Sequence, residues 1–353
     1  MKKKSTLMSV LLFYVGIILV ILASSIAFFN REVIIDQVGV LNTIKTRGEK
    51  IVNIKLSFIG DSLVGSYLGQ NYRGNFRDLL ENNDYSFSYK NVSDIFKKDD
   101  YTIANGENVF TDKVLEPSIK NHNPAYWYYA PTRFTNVYNE SSIEVVSIMN
   151  NHTYDYGGIG YSDTKDAIRN AGLILGAEDP VILEKSGIRI GLLCINLFSR
   201  FQYENCVNDI KKIKDEVDYV IVYFHGGVEY LFYPTNEIIE YSHGFIDNGA
   251  DLVIGAHPHV LEPREIYNDK TIIYSLGSFL FGGAGLVNRT IIYQVNLEYN
   301  LDRKSMNFKD NIIPCYLYTN KPGYESMIPS VITDISEKQK VLDFMNQLTD
   351  SPI

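Results

Sequence analysis

Asn248-Gly-Ala-Asp-Leu-Val-Ile-Gly-Ala-His-Pro-His259 holds the fold of this chain in miniature. A helical segment, 235–248, stops at Gly249, as a glycine just past the last turn allows. A short apolar strand, 251–254, follows at once. The strand then runs into two imidazoles flanking a proline. A helix closed by glycine, a buried strand and a polar cluster at its carboxyl end together form the repeating unit of an α/β layered domain. In open sheets of that kind, ligands sit beyond the carboxyl ends of the strands.

The same unit recurs outward from this stretch. Upstream, Ile188–Leu197 reads as a strand or hairpin arm, 206–215 as a helix, and Asp218–Phe224 as a strand ending in His225. Downstream, 271–275 is a strand ending in Leu276-Gly277-Ser278, and Ile291–Leu297 is another. Toward the N-terminus, the β-rich run Ile51–Ile59 ends in Gly60-Asp61, Phe76–Leu80 reads as helix, and Ser86–Asn91 as a short strand. Residues 97–130 are polar and aromatic without a clear period and read as a long loop. Its tyrosines Tyr126, Tyr128 and Tyr129 suit either a cleft wall or plain packing. Ile143–Met149 is a strand ending in Asn150-Asn151-His152, followed by a helix at 160–171 and a strand at Leu173–Leu175. A helix at 335–349 closes the chain, and no internal repeat is visible.

Asp61, Asn91, Asn151, His152, His225, His257 and His259 all fall at these strand ends. Each has a plain role when taken singly: an N-cap for Asp61, a turn for Asn91, a hydrogen-bonded surface or core residue for each histidine. In register they predict a site. Oxygen and imidazole donors without thiolate suit Zn, Mn or Fe, and Mg less well. His257 and His259 would face one side of an extended backbone, serving one ion or two. Gly60 allows a sharp turn beside Asp61. Glu229, after His225-Gly-Gly-Val, supplies a carboxylate to the metal or its ligands.

The composition bounds the partners. The 353 residues are 45% apolar and 21% charged, the profile of a globular protein and not of a disordered chain. The net charge of −9 argues against nucleic acid as a partner, because phosphate contacts dominate that affinity. Three cysteines, Cys194, Cys206 and Cys315, make no disulfide framework. Lys2, Lys3 and Lys4 precede an uncharged run, Leu7–Phe29. As a helix that run is about 34 Å long, enough to cross a membrane. The positive-inside rule then places residues 1–6 in the cytosol and the body outside, on a stalk of residues 30–50. A cleaved signal peptide ending near Ala23-Ser24-Ser25 is the rival. A single-pass protein of the cell membrane is expected, with the main domain at 51–300 and a C-terminal extension, 301–353, packed on it.

The motifs resemble those of the CapA family of poly-γ-glutamate capsule biosynthesis proteins, themselves similar to calcineurin-like metallophosphoesterases. The matching stretches are Phe58-Ile-Gly-Asp61, Val146-Ser-Ile-Met-Asn-Asn-His152 with Asp155-Tyr-Gly157, His225-Gly-Gly-Val-Glu-Tyr230, 248–259, and Ile273-Tyr-Ser-Leu-Gly277. The resemblance implies a metallophosphoesterase-like β-sandwich flanked by helices and preceded by one transmembrane helix. It implies a divalent metal at Asp61, Asn91, Asn151, His225, His257 and His259. It makes His152 the general acid, with Asp61 beside it, and sets Glu229, Asp155, Tyr230 and Ser278 around them. The sequence departs from the family pattern in three places. Leu63 stands where the phosphoesterases carry a histidine, Ser93 replaces the glutamate of an Asn-Leu-Glu motif begun at Asn91, and Ser278 replaces an asparagine.

The function implied is that of a membrane-anchored component of capsule polymer synthesis or export, handling an acidic polymer alongside other poly-γ-glutamate synthase subunits. Two further classes fit the same residues. One is an extracytoplasmic metal-dependent hydrolase that cuts a phosphoester, an amide or a γ-glutamyl bond. The other is a degenerate site that only binds.

Overall fold

The computed structural model describes residues 50–70, 76–121, 123–281, 287–319 and 323–348. The expected cytosolic segment, the membrane helix at 7–29, the stalk apart from Lys50, and His122 lie outside them. Among the described residues no helix is long and apolar enough to cross a membrane. The chain divides into two compact units. The described part of the smaller one is Lys50–Ile51 with Tyr299–Ser305, where the Lys50 amide donates to Asp302 and the Leu301 amide to the Lys50 carbonyl. The other described residues belong to the larger unit.

In chain order the strands are β1 (Ile51–Ser62), β2 (Ser66–Tyr67), β3 (Tyr101–Gly106), β4 (Val109–Phe110), β5 (Tyr128–Ala130), β6 (Val145–Ser147), β7 (Ile174–Gly176), β8 (Val181–Lys185), β9 (Ile188–Leu197), β10 (Tyr219–Gly226), β11 (Leu252–Ala256), β12 (Leu261–Tyr267), β13 (Lys270–Leu276), β14 (Ser278–Leu280), β15 (Thr290–Asn300), β16 (Ser305–Tyr316) and β17 (Ser330–Val331). The longer helices are α1 (Phe76–Asn82), α2 (Gly157–Asn170), α3 (Arg200–Ile213), α4 (Asn236–Asn248) and α5 (Ile335–Met345). One sheet runs β17-β16-β15-β1-β3-β6-β7, with β14 also paired to β1; a second runs β12-β13-β11-β10-β9-β8; a small third is β2-β5-β4.

The expected layered α/β sandwich is present. Phe58 on β1 meets Tyr223 on β10 with ring centroids 6.3 Å apart, and the Tyr223 hydroxyl donates to the Ile59 carbonyl at 2.7 Å. Those contacts pack the first sheet on the second. Burying a large apolar side chain contributes about 1.5–3 kcal/mol, and the hydroxyl of a buried tyrosine requires a partner. On the outer face of the first sheet, Ile59, Ala104 and Val146 cluster with Leu79 of α1 and Ile168 of α2. On the outer face of the second, Val222 and Val253 cluster with Ile210 of α3 and Phe245 of α4. Strands covered on both faces read as continuous apolar runs, the signature of parallel strands, and β1, β3, β6 and β7 pair in parallel, as do β9, β10, β11 and β13.

Three sequence expectations change. Tyr85–Tyr89 forms a 3₁₀ turn where Ser86–Asn91 read as a strand. Residues 97–130 are no featureless loop, since β3, β4 and β5 lie within them. Residues 301–353 contribute β16 and β17 to the first sheet. Helix α4 ends where expected, with Gly249 at a φ of 121°.

Candidate metal centre

Parallel pairing brings the carboxyl ends of β1, β3, β6, β10 and β11 to one place. Asp61 leaves β1 with no exposed surface. His259 Nδ1 lies 3.1 Å from its Oδ2, His225 Nδ1 3.4 Å from its Oδ1, and Asn105 Nδ2 donates to Oδ1 at 2.8 Å. The His257 amide donates to Oδ2 at 3.2 Å. Burial alone would raise the Asp61 carboxyl. Hydrogen bonds and charge from His225 and His259 together outweigh burial and hold it below the usual carboxylate range.

Glu107, one residue past β3, is the residue that sequence reading missed. It has no exposed surface, and neither carboxylate oxygen has a hydrogen-bond partner. Burial first, then the charges of Asp61, Glu229 and Asp155, push its carboxyl well above its ordinary range. Three imidazoles point Nε2 at its Oε1: His152 at 3.8 Å, His225 at 3.9 Å and His259 at 3.9 Å.

These spacings test whether a divalent ion fits. Nitrogen and carboxylate ligands sit about 2.0–2.2 Å from zinc, so two ligands of one ion lie at most about 4.4 Å apart. His259 Nε2 and Glu107 Oε1, 3.9 Å apart, meet that limit, and the ligand atoms of Asp61, Glu107 and His259 lie within 4.8 Å of one another, close to it. A buried carboxylate with both oxygens unpartnered, ringed by imidazole nitrogens and a second carboxylate, is a donor set that a cation satisfies. Asp61 accepting from His259 Nδ1 would also fix that ring with Nε2 toward the ion.

The other expected residues fall as follows. Asn151 Oδ1 is 2.9 Å from His225 Nε2, and His257 Nδ1 is 3.1 Å from the same nitrogen. Ser278 Oγ lies 3.1 Å from His259 Nδ1, and the Tyr230 ring centroid 6.0 Å from that of His259. Glu229 is exposed, and its charge reaches Glu107. Asp155 Oδ2 is 2.7 Å from His152 Nδ1 and accepts the Tyr128 amide at 2.7 Å. Asn91 contacts Ser330 at 2.8 Å, and its hydrogen bonds include no residue of the centre. Asn105 occupies the place expected of it, held by the Asn150 side-chain amide at 3.1 Å. The signal was present in the sequence: Asn105-Gly-Glu107 has the spacing of the Asn-Leu-Glu motif, whereas the frame started at Asn91 lacks the glutamate. His257 and His259 do not share an extended backbone. Their φ values are 105° and 60°, so Pro258 sits in a tight turn that sends the first imidazole to His225 and the second to Asp61.

The electrostatics predict how the metal-free protein responds to acid. Burial lowers His152 from 6.5 to about 4, against the pull of Asp155, and lowers His225 and His257 as well. A histidine whose folded value lies below its unfolded one binds protons more tightly when unfolded. Its stabilisation is complete above pH 6.5 and is lost as the pH falls toward the folded value. Carboxyls that burial raises above 4.5, Glu107 here and Glu144 and Glu262 elsewhere, act in the opposite sense. The histidine share is read as a difference between proteins: in chelator, the unfolding midpoint of His152→Gln is expected to fall less, or rise more, from pH 6.5 to 4.5 than that of wild type, and an unchanged pH dependence would contradict this account.

A family model described as bacterial capsule synthesis protein PGA_cap matches residues 55–283. The chain is similar to the PGA biosynthesis protein CapA of Bacillus subtilis, 28% identical over 261 residues that cover 67% of this chain and 65% of that one. It is similar to the capsule biosynthesis protein CapA of Bacillus anthracis, 26% identical over 257 residues, 65% of this chain and 60% of that one. A probable polyglutamine synthesis accessory protein of Mycobacterium tuberculosis is 27% identical over 166 residues, 38% of this chain and 44% of that one. The chain thus spans less than two thirds of the length of either Bacillus relative. Among solved structures, a Thermus thermophilus protein aligns with a TM-score of 0.40 and 9% identity over 73% of this chain and 99% of that one.

Proposed function

The chain belongs to the bacterial capsule synthesis protein family PGA_cap, and from that membership and the geometry of the centre we propose that it acts in the synthesis or export of a poly-γ-glutamate capsule polymer, using a divalent-metal site of metallophosphoesterase type. The orphaned carboxylate of Glu107 carries the metal part of this reading. Asp61, Glu107, His225 and His259 would hold the ion, with Asn151 and His257 beside them. A bound divalent ion would supply Lewis-acid polarisation of a phosphoryl or carbonyl oxygen. The relatives named for capsule and PGA biosynthesis support the polymer, and the relative named as an accessory protein supports work alongside other synthase subunits. The run Leu7–Phe29 would anchor the chain in the cell membrane with its main domain outside.

One observation favours hydrolysis as the chemistry, acting on a phosphoester, an amide or a γ-glutamyl bond. His152 Nδ1 lies 2.7 Å from Asp155 Oδ2, a carboxylate oxygen that can only accept, and the ring turns Nε2 toward Glu107. Burial keeps the ring neutral, so at rest it is poised to accept a proton at Nε2 and to return it to a leaving group afterwards.

Elemental analysis of the full-length chain, extracted in detergent without chelator, tests the metal. About one ion per chain or more is expected, and less than about a tenth would refute the site. Complementation tests the pathway. The wild-type gene should restore capsular polymer to a deletion strain and Asp61→Ala should not. Undiminished polymer in the deletion strain would refute the capsule role.

A further inference from the structure

Between β4 and β5, the segment 111–121 carries a lysine into the polar surroundings of the centre. Lys120 Nζ lies 2.5 Å from Asp155 Oδ1 as an ion pair and donates to the Tyr126 carbonyl at 2.6 Å. It also lies 3.4 Å from His152 Nδ1. This is no solvated surface pair. The Asp155 side chain has no exposed surface and that of Lys120 only 13%. The loop is pinned where it delivers the lysine. The Ser118 amide donates to the Asp155 carbonyl at 2.8 Å and Trp127 Nε1 to the Ser118 carbonyl at 2.7 Å.

We infer that Lys120 is a positioning residue of the candidate centre, holding the carboxylate of Asp155 and the backbone of Tyr126 so that His152 keeps one orientation and one tautomer. The inference rests on the reading of His152 as a reactive group. The two oxygens of Asp155 have separate duties. Oδ2 takes the Tyr128 amide and His152 Nδ1, and Oδ1 has only the lysine. A carboxylate accepts and cannot donate, so the proton between it and His152 belongs to Nδ1, leaving Nε2 free to face Glu107. Without the ammonium, Oδ1 becomes a buried charge with no partner. The carboxylate must then turn toward another donor, and turning takes Oδ2 away from Nδ1. The Tyr126 carbonyl adds a second coupling. Tyr126 stacks on Tyr128 at 6.2 Å, and Tyr128 covers His152 at 4.1 Å. One lysine thus ties the aromatic wall to the imidazole beneath it.

The tautomer is a readout that a merely structural lysine would not move. Full-length chain labelled with 15N-histidine, in detergent micelles, metal-free and at one fixed pH, gives the ring nitrogens by long-range 1H–15N correlation; His152→Gln identifies the His152 signals. Wild type should show His152 as a single Nδ1–H tautomer. Lys120→Arg should keep it, and Lys120→Met should lose it in favour of Nε2–H or a mixture. Asp155→Leu, which removes the acceptor, should cause the same loss directly. Lys120→Gln, which keeps a donor for Tyr126 without the charge, replaces the methionine variant if that fails to fold, and should likewise lose the tautomer. An unchanged His152 pattern in the Met or Gln variant overturns the inference, as does an unchanged pattern in Asp155→Leu. Metal content of the same preparations, measured before the metal is stripped, separates the two readings. A wild type that carries no metal yet shows a lysine-dependent tautomer overturns the metal site and supports Lys120. A metal-loaded wild type with an indifferent tautomer does the reverse.

Discussion

Glu107→Gln should move the metal-free and the metal-loaded protein in opposite directions. Without metal, Glu107 is a buried carboxyl with two unpartnered oxygens and like charges nearby. Its folded pKa lies above its unfolded 4.5, so above that pH ionisation works against folding. Glutamine is close in shape, needs no proton to stay neutral and can donate to the imidazole nitrogens that face it, and so should raise metal-free stability by about 1–3 kcal/mol. With metal the sign reverses, because the variant lacks a charged ligand. Outer partners of a metal already cost about 10–100-fold in affinity when removed, and a direct ligand should exceed that. Denaturant unfolding with chelator and with added Mn or Zn, beside calorimetric titration of the ion, measures both. If the variant binds the ion as tightly as wild type, Glu107 is not a ligand; if it loses stability without metal, the buried carboxyl does not work against folding.

Gly60→Ala should cost about 3 kcal/mol or more, because the overpacking falls on backbone that cannot yield. A Cβ at Gly60 would lie 1.8 Å from the Gly277 carbonyl oxygen and 3.2 Å from Leu276 Cβ. The Gly277 oxygen accepts the Asp61 amide at 3.2 Å, and Gly277 itself sits at a φ of 72°. The pairing of β1 with β3 shifts register between Ile59 and Asp61, so the chain bends where the strands come closest. Any shift that relieves the clash carries Asp61 away from His225 and His259. Metal should therefore be lost along with stability. Gly158→Ala is the control: it lies in the first turn of α2 with nothing within 4 Å of the new methyl, and should be neutral or stabilising by up to about 1 kcal/mol. A Gly60→Ala protein as stable and as metal-rich as wild type would show that the approach of β1 to Gly277 is not needed.

Asp61, His152, His225, His257 and His259 were legible because each follows an apolar run and then a polar break, and scarce imidazoles stand out against an acidic chain. Glu107 was not. Its strand, Tyr101–Gly106, ends in Ala-Asn-Gly, residues with little strand preference. It is a strand because β1 and β6 pair with it on both sides, Ile59 opposite Ala104 and Ile103 opposite Val145. β16 was missed for a related reason: its first half alternates between exposed and partly buried positions, which hides an apolar run. Lys120 carried no signal at all, being one of several charged residues in a segment without period.

Residue pattern alone was enough for the layered α/β class, for the strand ends where chemistry collects and for the family, because buried parallel strands and their polar termini are local features of residue type. Three outcomes were settled in three dimensions instead: which acid joins Asp61, how Pro258 sends two neighbouring imidazoles to different partners, and that a lysine from a distant loop balances Asp155. Those outcomes depend on register and on burial. Both are set by strands far apart in the chain, and together they convert an ordinary carboxylate into one that lacks a partner.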